Sequence, residues 1–172
     1  LVGIGVAVIG AIFGLIEFLR VKKIPVHPVM EQVGTTIFET CKTYLVQQGK
    51  FLIVLEILIA LCIAYYFGVL EKMGVKSVLL ILLWSVIGIL GSYLVAWFGI
   101  RMNTLANART SFLALKSKPL NCLNVPLKAG MSIGVLLVSV ELILMLVILL
   151  FVPGNLAGAC LYGFSIGGKL GC

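Results

Sequence analysis

Four stretches of the chain run for about twenty residues with almost no polar side chain: 1–19, 51–70, 78–100 and 129–152. A fifth opens at Asn155 and continues to residue 172. About twenty apolar residues are needed for a helix to cross a hydrocarbon core of about 30 Å. The runs are continuous rather than alternating, and a segment inside a bilayer must satisfy its own backbone hydrogen bonds, so each is predicted as a helix. The expected fold is an all-α, polytopic transmembrane helix bundle. It has four complete spans and the start of a fifth, and forms a single transmembrane domain over 1–172.

Between the spans the pattern changes but stays helical. Met30, Val33, Ile37, Cys41 and Tyr44 recur at helical spacing, with Glu31, Gln32, Thr35 and Lys42 between them. No Gly-Pro break separates this amphipathic stretch from the second span. One long helix is therefore expected, with about 30 Å of it outside the bilayer at 1.5 Å per residue. Pro25 and Pro28 mark the turn before it. Residues 101–118 continue the third span in the same way, with Met102, Leu105, Phe112 and Leu115 on or near one face. Pro119 and Pro126 are expected to bracket the turn into the fourth span. The alternative for both extensions is a helix lying on the lipid headgroups.

Charge orients the bundle. The first connection and its flanks hold Arg20, Lys22, Lys23, Lys42 and Lys50, and the third holds Arg101, Arg109, Lys116, Lys118 and Lys128. The second holds only Lys72 and Lys76, and the fourth, around Pro153–Asn155, holds none. Loops rich in Lys and Arg stay in the cytoplasm, so 20–50 and 101–128 are read as cytoplasmic and the N-terminus as external. Composition agrees with a membrane protein: 62% hydrophobic and 11% charged residues, with a mean hydropathy of +1.22. The lipid bilayer is thus an expected partner. The net charge of +7 is split among membrane-flanking segments instead of forming one aromatic-studded patch, which argues against nucleic acid.

Candidate chemistry is sparse. Cys41, Cys62, Cys122, Cys160 and Cys172 are irregularly spaced, with no CxxC pair, and read as small packing residues; with His27 the sole histidine, a zinc site is not expected. Within the apolar runs, Glu56 and Glu141 are candidate ion-path carboxylates, because a charge at mid-bilayer costs about 2.5–3.5 kcal/mol on insertion scales and needs protein or water around it. A structural or snorkelling role is the alternative for each. Glu17 reads as an ordinary helix-end residue. Trp84 and Trp97 read as packing or interface anchors. The four-residue spacings Gly10/Gly14, Gly154/Gly158 and Gly163/Gly167 mark close helix approaches, and Gly163, Gly167, Gly168 and Gly171 point to a centrally packed fifth span. All six acidic residues are Glu, and no phosphate loop, triad or paired Asp is present.

The third span leads into Gly99-Ile-Arg-Met-Asn-Thr-Leu-Ala-Asn-Ala-Arg-Thr-Ser-Phe-Leu-Ala. This segment resembles the membrane-bound, ion-pumping inorganic pyrophosphatases, where Ala-Asn-Ala-Arg-Thr ends the third helix. Ile37-Phe-Glu-Thr-Cys-Lys-Thr-Tyr-Leu is similar to the family's second helix, Lys128-Ala-Gly-Met to the start of its fourth, and Tyr162-Gly-Phe-Ser-Ile-Gly-Gly to the start of its fifth. The resemblance implies part of an ion-translocating diphosphatase that couples pyrophosphate hydrolysis to movement of protons, or sodium ions, across a membrane. It implies Mg2+ as cofactor, with K+ as a further candidate, and a homodimer. It places the Asp, Lys and Glu motifs that bind pyrophosphate beyond residue 172, so the chain reads as an N-terminal fragment without catalytic or metal-binding residues. Ala106, Asn107, Ala108, Arg109 and Thr110 enter as structural signature residues, Arg109 holding the cytoplasmic end of its helix. Glu56 and Glu141 depart from the plant-like pattern, which points to a bacterial subgroup with an inner membrane, or to a divergent one, and Gly168-Lys169-Leu170-Gly171-Cys172 replaces the family's usual run after the fifth-helix glycines. From the residues alone, a non-enzymatic transporter or channel subunit stands as the alternative.

Overall fold

A computed structural model describes residues 2–116 and 119–170. The expectations placed on Leu1, Lys118, Gly171 and Cys172 lie outside the described residues. Five helices follow one another: α1 (Val2–Lys22), α2 (Pro28–Tyr65), α3 (Val75–Lys116), α4 (Pro119–Phe151) and α5 (Gly154–Leu170). Four of them, α1 to α4, are long and apolar enough to cross a membrane. α5 is 17 residues long. The protein is an all-α, multi-span membrane protein.

The two long extensions form as expected. α2 is one helix of 38 residues, and α3 one of 42. The polar part of α2 keeps its hydroxyls satisfied within the helix: Thr35, Thr36, Thr40 and Thr43 each donate to the carbonyl four residues earlier. At its start the Val29 amide donates to Nδ1 of the exposed His27 at 3.4 Å, the side-chain capping expected of an otherwise orphaned helix N–H. Its far end widens into a π turn over Tyr66–Leu70. The chain then reverses through Lys72, which has φ 48°. That left-handed conformation is uncommon for a residue with a Cβ.

The start of α4 differs from expectation. Pro119 is its first residue and Pro126 lies inside the helix, so the two prolines do not bracket a turn. Proline at a first helical position suits the fold, because its fixed φ is helical and its missing N–H has no intrahelical partner there. Pro126 removes the amide that would bond to Cys122, one turn into the helix. The helix carries that loss near its end, where fewer bonds depend on it.

Contacts divide the chain into two compact units, residues 1–45 with 97–142, and residues 46–96 with 143–172. The first has a core of Val21, Met102, Ala106, Val125 and Ala129, with Phe18, Ile24, Phe98 and Ile133 packed around it. In this unit α1 and α4 cross at the small residues flagged in the sequence. A Cβ on Gly10 would meet Ser139 and Val135, and one on Gly14 would meet the Ser132 carbonyl and Leu136. The buried Ser132 hydroxyl donates to the Gly14 carbonyl at 2.7 Å, an interhelical bond of the kind worth about 0.6 kcal/mol in membrane proteins.

The second unit is built on Ile63, Ile81, Trp84, Ile148, Val152, Cys160 and Phe164. Here α3 and α5 approach backbone to backbone. A Cβ on Gly163 would collide with the Ile81 carbonyl, one on Gly167 with that of Ser85, and one on Gly88 with that of Phe164. Ser92 adds a hydrogen bond to the Gly168 carbonyl at 2.7 Å. Gly154 and Gly158, in contrast, face open space among the described residues. Cys41, Cys62, Cys122 and Cys160 are free thiols.

Candidate functional site

The site begins with the packing of α3 beyond Trp97. Met102 and Ala106 are almost fully buried in the core of the first unit. Residues three and four apart share one helix face, so Arg109, three residues past Ala106, follows them inward and is 5% exposed. Its guanidinium reaches past the end of α1. Nη2 donates to the Lys22 carbonyl at 2.9 Å and Nε to the Ile24 carbonyl at 3.1 Å, while Nη1 donates to Leu105 on its own helix at 3.1 Å.

This geometry answers a need that the backbone of α1 creates. The last carbonyls of a helix have no intrahelical donor, and they carry the negative end of the helix dipole. The planar guanidinium satisfies two carbonyls at once and places a positive charge there. Burial lowers the Arg109 pKa from its ordinary value, and the Glu31 carboxylate opposes that shift. The ordinary value is so high that the group stays a cation. Arg109 therefore clamps the end of α1, whereas the expectation tied it to the cytoplasmic end of its own helix; its one bond within α3, to Leu105, lies well before that helix ends at Lys116.

The rest of the signature segment surrounds this clamp. Ala106 is buried, Asn107 is exposed, and Ala108 and Thr110 are half-buried. Ala108 lies where α2 and α3 come together: a Cβ on Gly34 would stand 3.3 Å from the Ala108 Cβ. Thr110 donates to the Ala106 carbonyl at 2.8 Å. Two turns before the clamp on α3, the Arg101 guanidinium lies 4.4 Å from the centre of the Phe38 ring, a cation–π contact. Glu31, Thr35, Phe38, Arg101, Thr104 and Arg109 line a small cleft of about 100 Å³. It is a polar joint between α2 and α3 with its strongest cation already occupied by carbonyls.

The intramembrane carboxylates stand apart from the clamp. Glu141 is exposed on α4. Glu56, in the second unit, continues the buried seam of α2 that includes Leu52 and Ile63. Both of its oxygens are shielded and have no hydrogen-bond partner. Glu17 departs from its reading as an ordinary helix end. It is 4% exposed, and Arg20 donates to its Oε1 at 2.6 Å. Its other oxygen is buried without a partner. The signal was in the spacing: Gly10, Gly14, Glu17 and Val21 form one helical stripe, the face α1 turns inward. Trp84 is buried, as a packing residue should be, and Trp97 is half-exposed. Among the described residues, no group of three or more His, Cys, Asp or Glu side chains comes together to hold a metal ion.

Comparison with known proteins gives this scaffold its family. Residues 8–172 match the inorganic H+ pyrophosphatase family. The chain is 52% identical over 169 residues to a protein of Chlorobaculum tepidum named K(+)-insensitive pyrophosphate-energized proton pump. That alignment covers 98% of this chain and 22% of the relative, so the chain spans about a fifth of the length of the protein it resembles. No solved structure matches the chain. Its helices, its signature segment and a family match across nearly its whole length make the chain a member of the inorganic H+ pyrophosphatase family.

Proposed function

We propose that this chain is a scaffold-forming part of a pump that hydrolyses inorganic pyrophosphate and drives protons across a membrane. The observation that carries the reading is the 52% identity sustained over 98% of the chain to a pyrophosphate-energized proton pump. Family membership favours this over a non-enzymatic transporter or channel subunit, and the relative's name favours protons over sodium. The same name, K(+)-insensitive, supports a pump that does not require K+.

In this reading α1 to α5 hold the membrane position of residues supplied elsewhere in the parent protein. The Arg109 clamp fixes α1 against α3 on the cytoplasmic side, the side assigned by the basic loops. Among the described residues no group of three or more His, Cys, Asp or Glu side chains assembles that could hold the implied Mg2+. A homodimer in a bacterial inner membrane completes the proposal.

The test is phosphate release by the full-length protein in membranes. Hydrolysis of pyrophosphate is expected with Mg2+ present, at rates that added K+ changes by less than twofold. No hydrolysis at any K+ concentration would remove the reading.

Glu56 and Glu141 are the proposed ion-path carboxylates of this region. Glu56→Gln and Glu141→Gln are expected to lower the number of protons moved per pyrophosphate while hydrolysis continues. A ratio unchanged in both variants would return the two residues to structural roles.

A further inference from the structure

Within the second unit, α2 and α3 leave an open groove of about 520 Å³, a volume typical of small-molecule sites. Val46, Gly49, Ile53 and Ile57 form one wall and Val86, Ile89, Leu90 and Tyr93 the other, with Lys50 on the rim. From Val46 to Ile57 the wall rises about 16 Å along the helix at 1.5 Å per residue. The groove thus runs from the edge of the second apolar run into its middle. Ile53, Ile57, Val86 and Leu90 are all exposed along it.

We propose that this groove binds an anionic phospholipid of the cytoplasmic leaflet, with the phosphate on Lys50 and an acyl chain along the apolar walls. The inference rests on the membrane orientation adopted above and on no part of the pyrophosphate chemistry. Three observations favour a lipid. The walls are apolar over the length of an acyl segment. The cation is exposed and has no ion-pair partner among the described residues. And Lys50 sits where the second apolar run begins, the headgroup depth at which a basic side chain is attracted to an anionic surface.

At the mouth the Tyr93 ring packs against the bare backbone of α2. Gly49 has no side chain, and a Cβ there would press on the Tyr93 ring at 3.3 Å. Lys50 and Tyr93 together form the pair of interfacial residues common at membrane boundaries. The acidic residue in the groove does not oppose an anion at the rim. Glu56 lies six residues deeper, about 9 Å along the helix, and both of its oxygens are shielded.

The experiment is lipid retention by the full-length protein, read by native mass spectrometry after incubation with equal amounts of phosphatidylglycerol and phosphatidylcholine of identical chains. The wild-type protein is expected to retain phosphatidylglycerol severalfold over phosphatidylcholine. Lys50→Glu should abolish that preference, and Leu90→Trp, which fills the groove from an exposed position, should reduce retention of both lipids. Lys42→Glu is the control, because Lys42 already pairs with Glu39 at 3.5 Å; its preference should match the wild type. Equal loss in the Lys42 and Lys50 variants would mean diffuse attraction and overturn the proposal. Undiminished preference in Lys50→Glu, or no lipid retained by the wild type because another helix fills the groove, would overturn it as well. Loss of pyrophosphate hydrolysis leaves this readout intact, so the two proposals fail separately.

Discussion

Replacing Arg109 with Ala is expected to destabilise the full-length protein by about 2–4 kcal/mol, the largest single effect of any polar substitution in this region. The substitution removes three charge-assisted hydrogen bonds. It leaves the Lys22 and Ile24 carbonyls without a donor in a place the guanidinium had shielded, and a buried acceptor left unsatisfied costs its desolvation in full. The helix dipole loses its compensating charge at the same time. Arg109→Lys should recover less than half of the loss, since an ammonium cannot span two carbonyls in the fixed geometry of the guanidinium. Equilibrium unfolding in mixed SDS micelles measures both variants. Equal stability of Arg109→Lys and wild type would show that charge alone, not the two-carbonyl clamp, is what matters.

The second large effect is expected at the α3–α5 crossing. Gly167→Leu should prevent α5 from packing, costing about 3 kcal/mol or more. A side chain there meets the Ser85 backbone carbonyl, and backbone cannot move aside as a flexible side chain can. Gly167→Ala should already be harmful, since the first carbon of any side chain is the one that collides. Gly158→Ala is the matched control: the same helix and the same substitution, with no atom within 4 Å of the added carbon among the described residues. Protease sensitivity of α5 in the assembled protein separates the two. Similar behaviour of the Gly158 and Gly167 variants would contradict a backbone-to-backbone contact specific to Gly163, Gly167 and Gly88.

These two positions also show what a sequence can and cannot disclose. The spacing of Gly163 and Gly167 announced a close approach, because small residues one turn apart serve little else in a membrane helix. The partner was not announced, and Gly154 and Gly158 carry the same spacing without a contact among the described residues. The long helices α2 and α3 were legible because apolar positions kept a helical period across the change from membrane to water, with Pro25 and Pro28 fixing the start of α2. The start of α4 was not, because proline permits the first turn of a helix as readily as it ends one; Pro119 and Pro126 look alike in sequence. Arg109 was marked by its signature segment, yet its acceptors lie 85 and 87 residues earlier in the chain, beyond any local pattern. Glu17 was missed for a different reason. A Glu near a helix end is ordinarily solvated, and only its stripe with Gly10 and Gly14 marks the face α1 buries.

The division of labour proposed for the parent protein follows from these contacts. Small residues and buried hydroxyls join the helices within each unit, Arg109 ties off α1, and the proposal gives these contacts a supporting role. The measurement that bears most directly on this account is pyrophosphate-driven acidification of sealed vesicles containing the full-length protein in K+-free buffer. The account predicts a proton gradient that forms on adding magnesium pyrophosphate and collapses with an uncoupler. Hydrolysis without a gradient, or no hydrolysis at all, would contradict it.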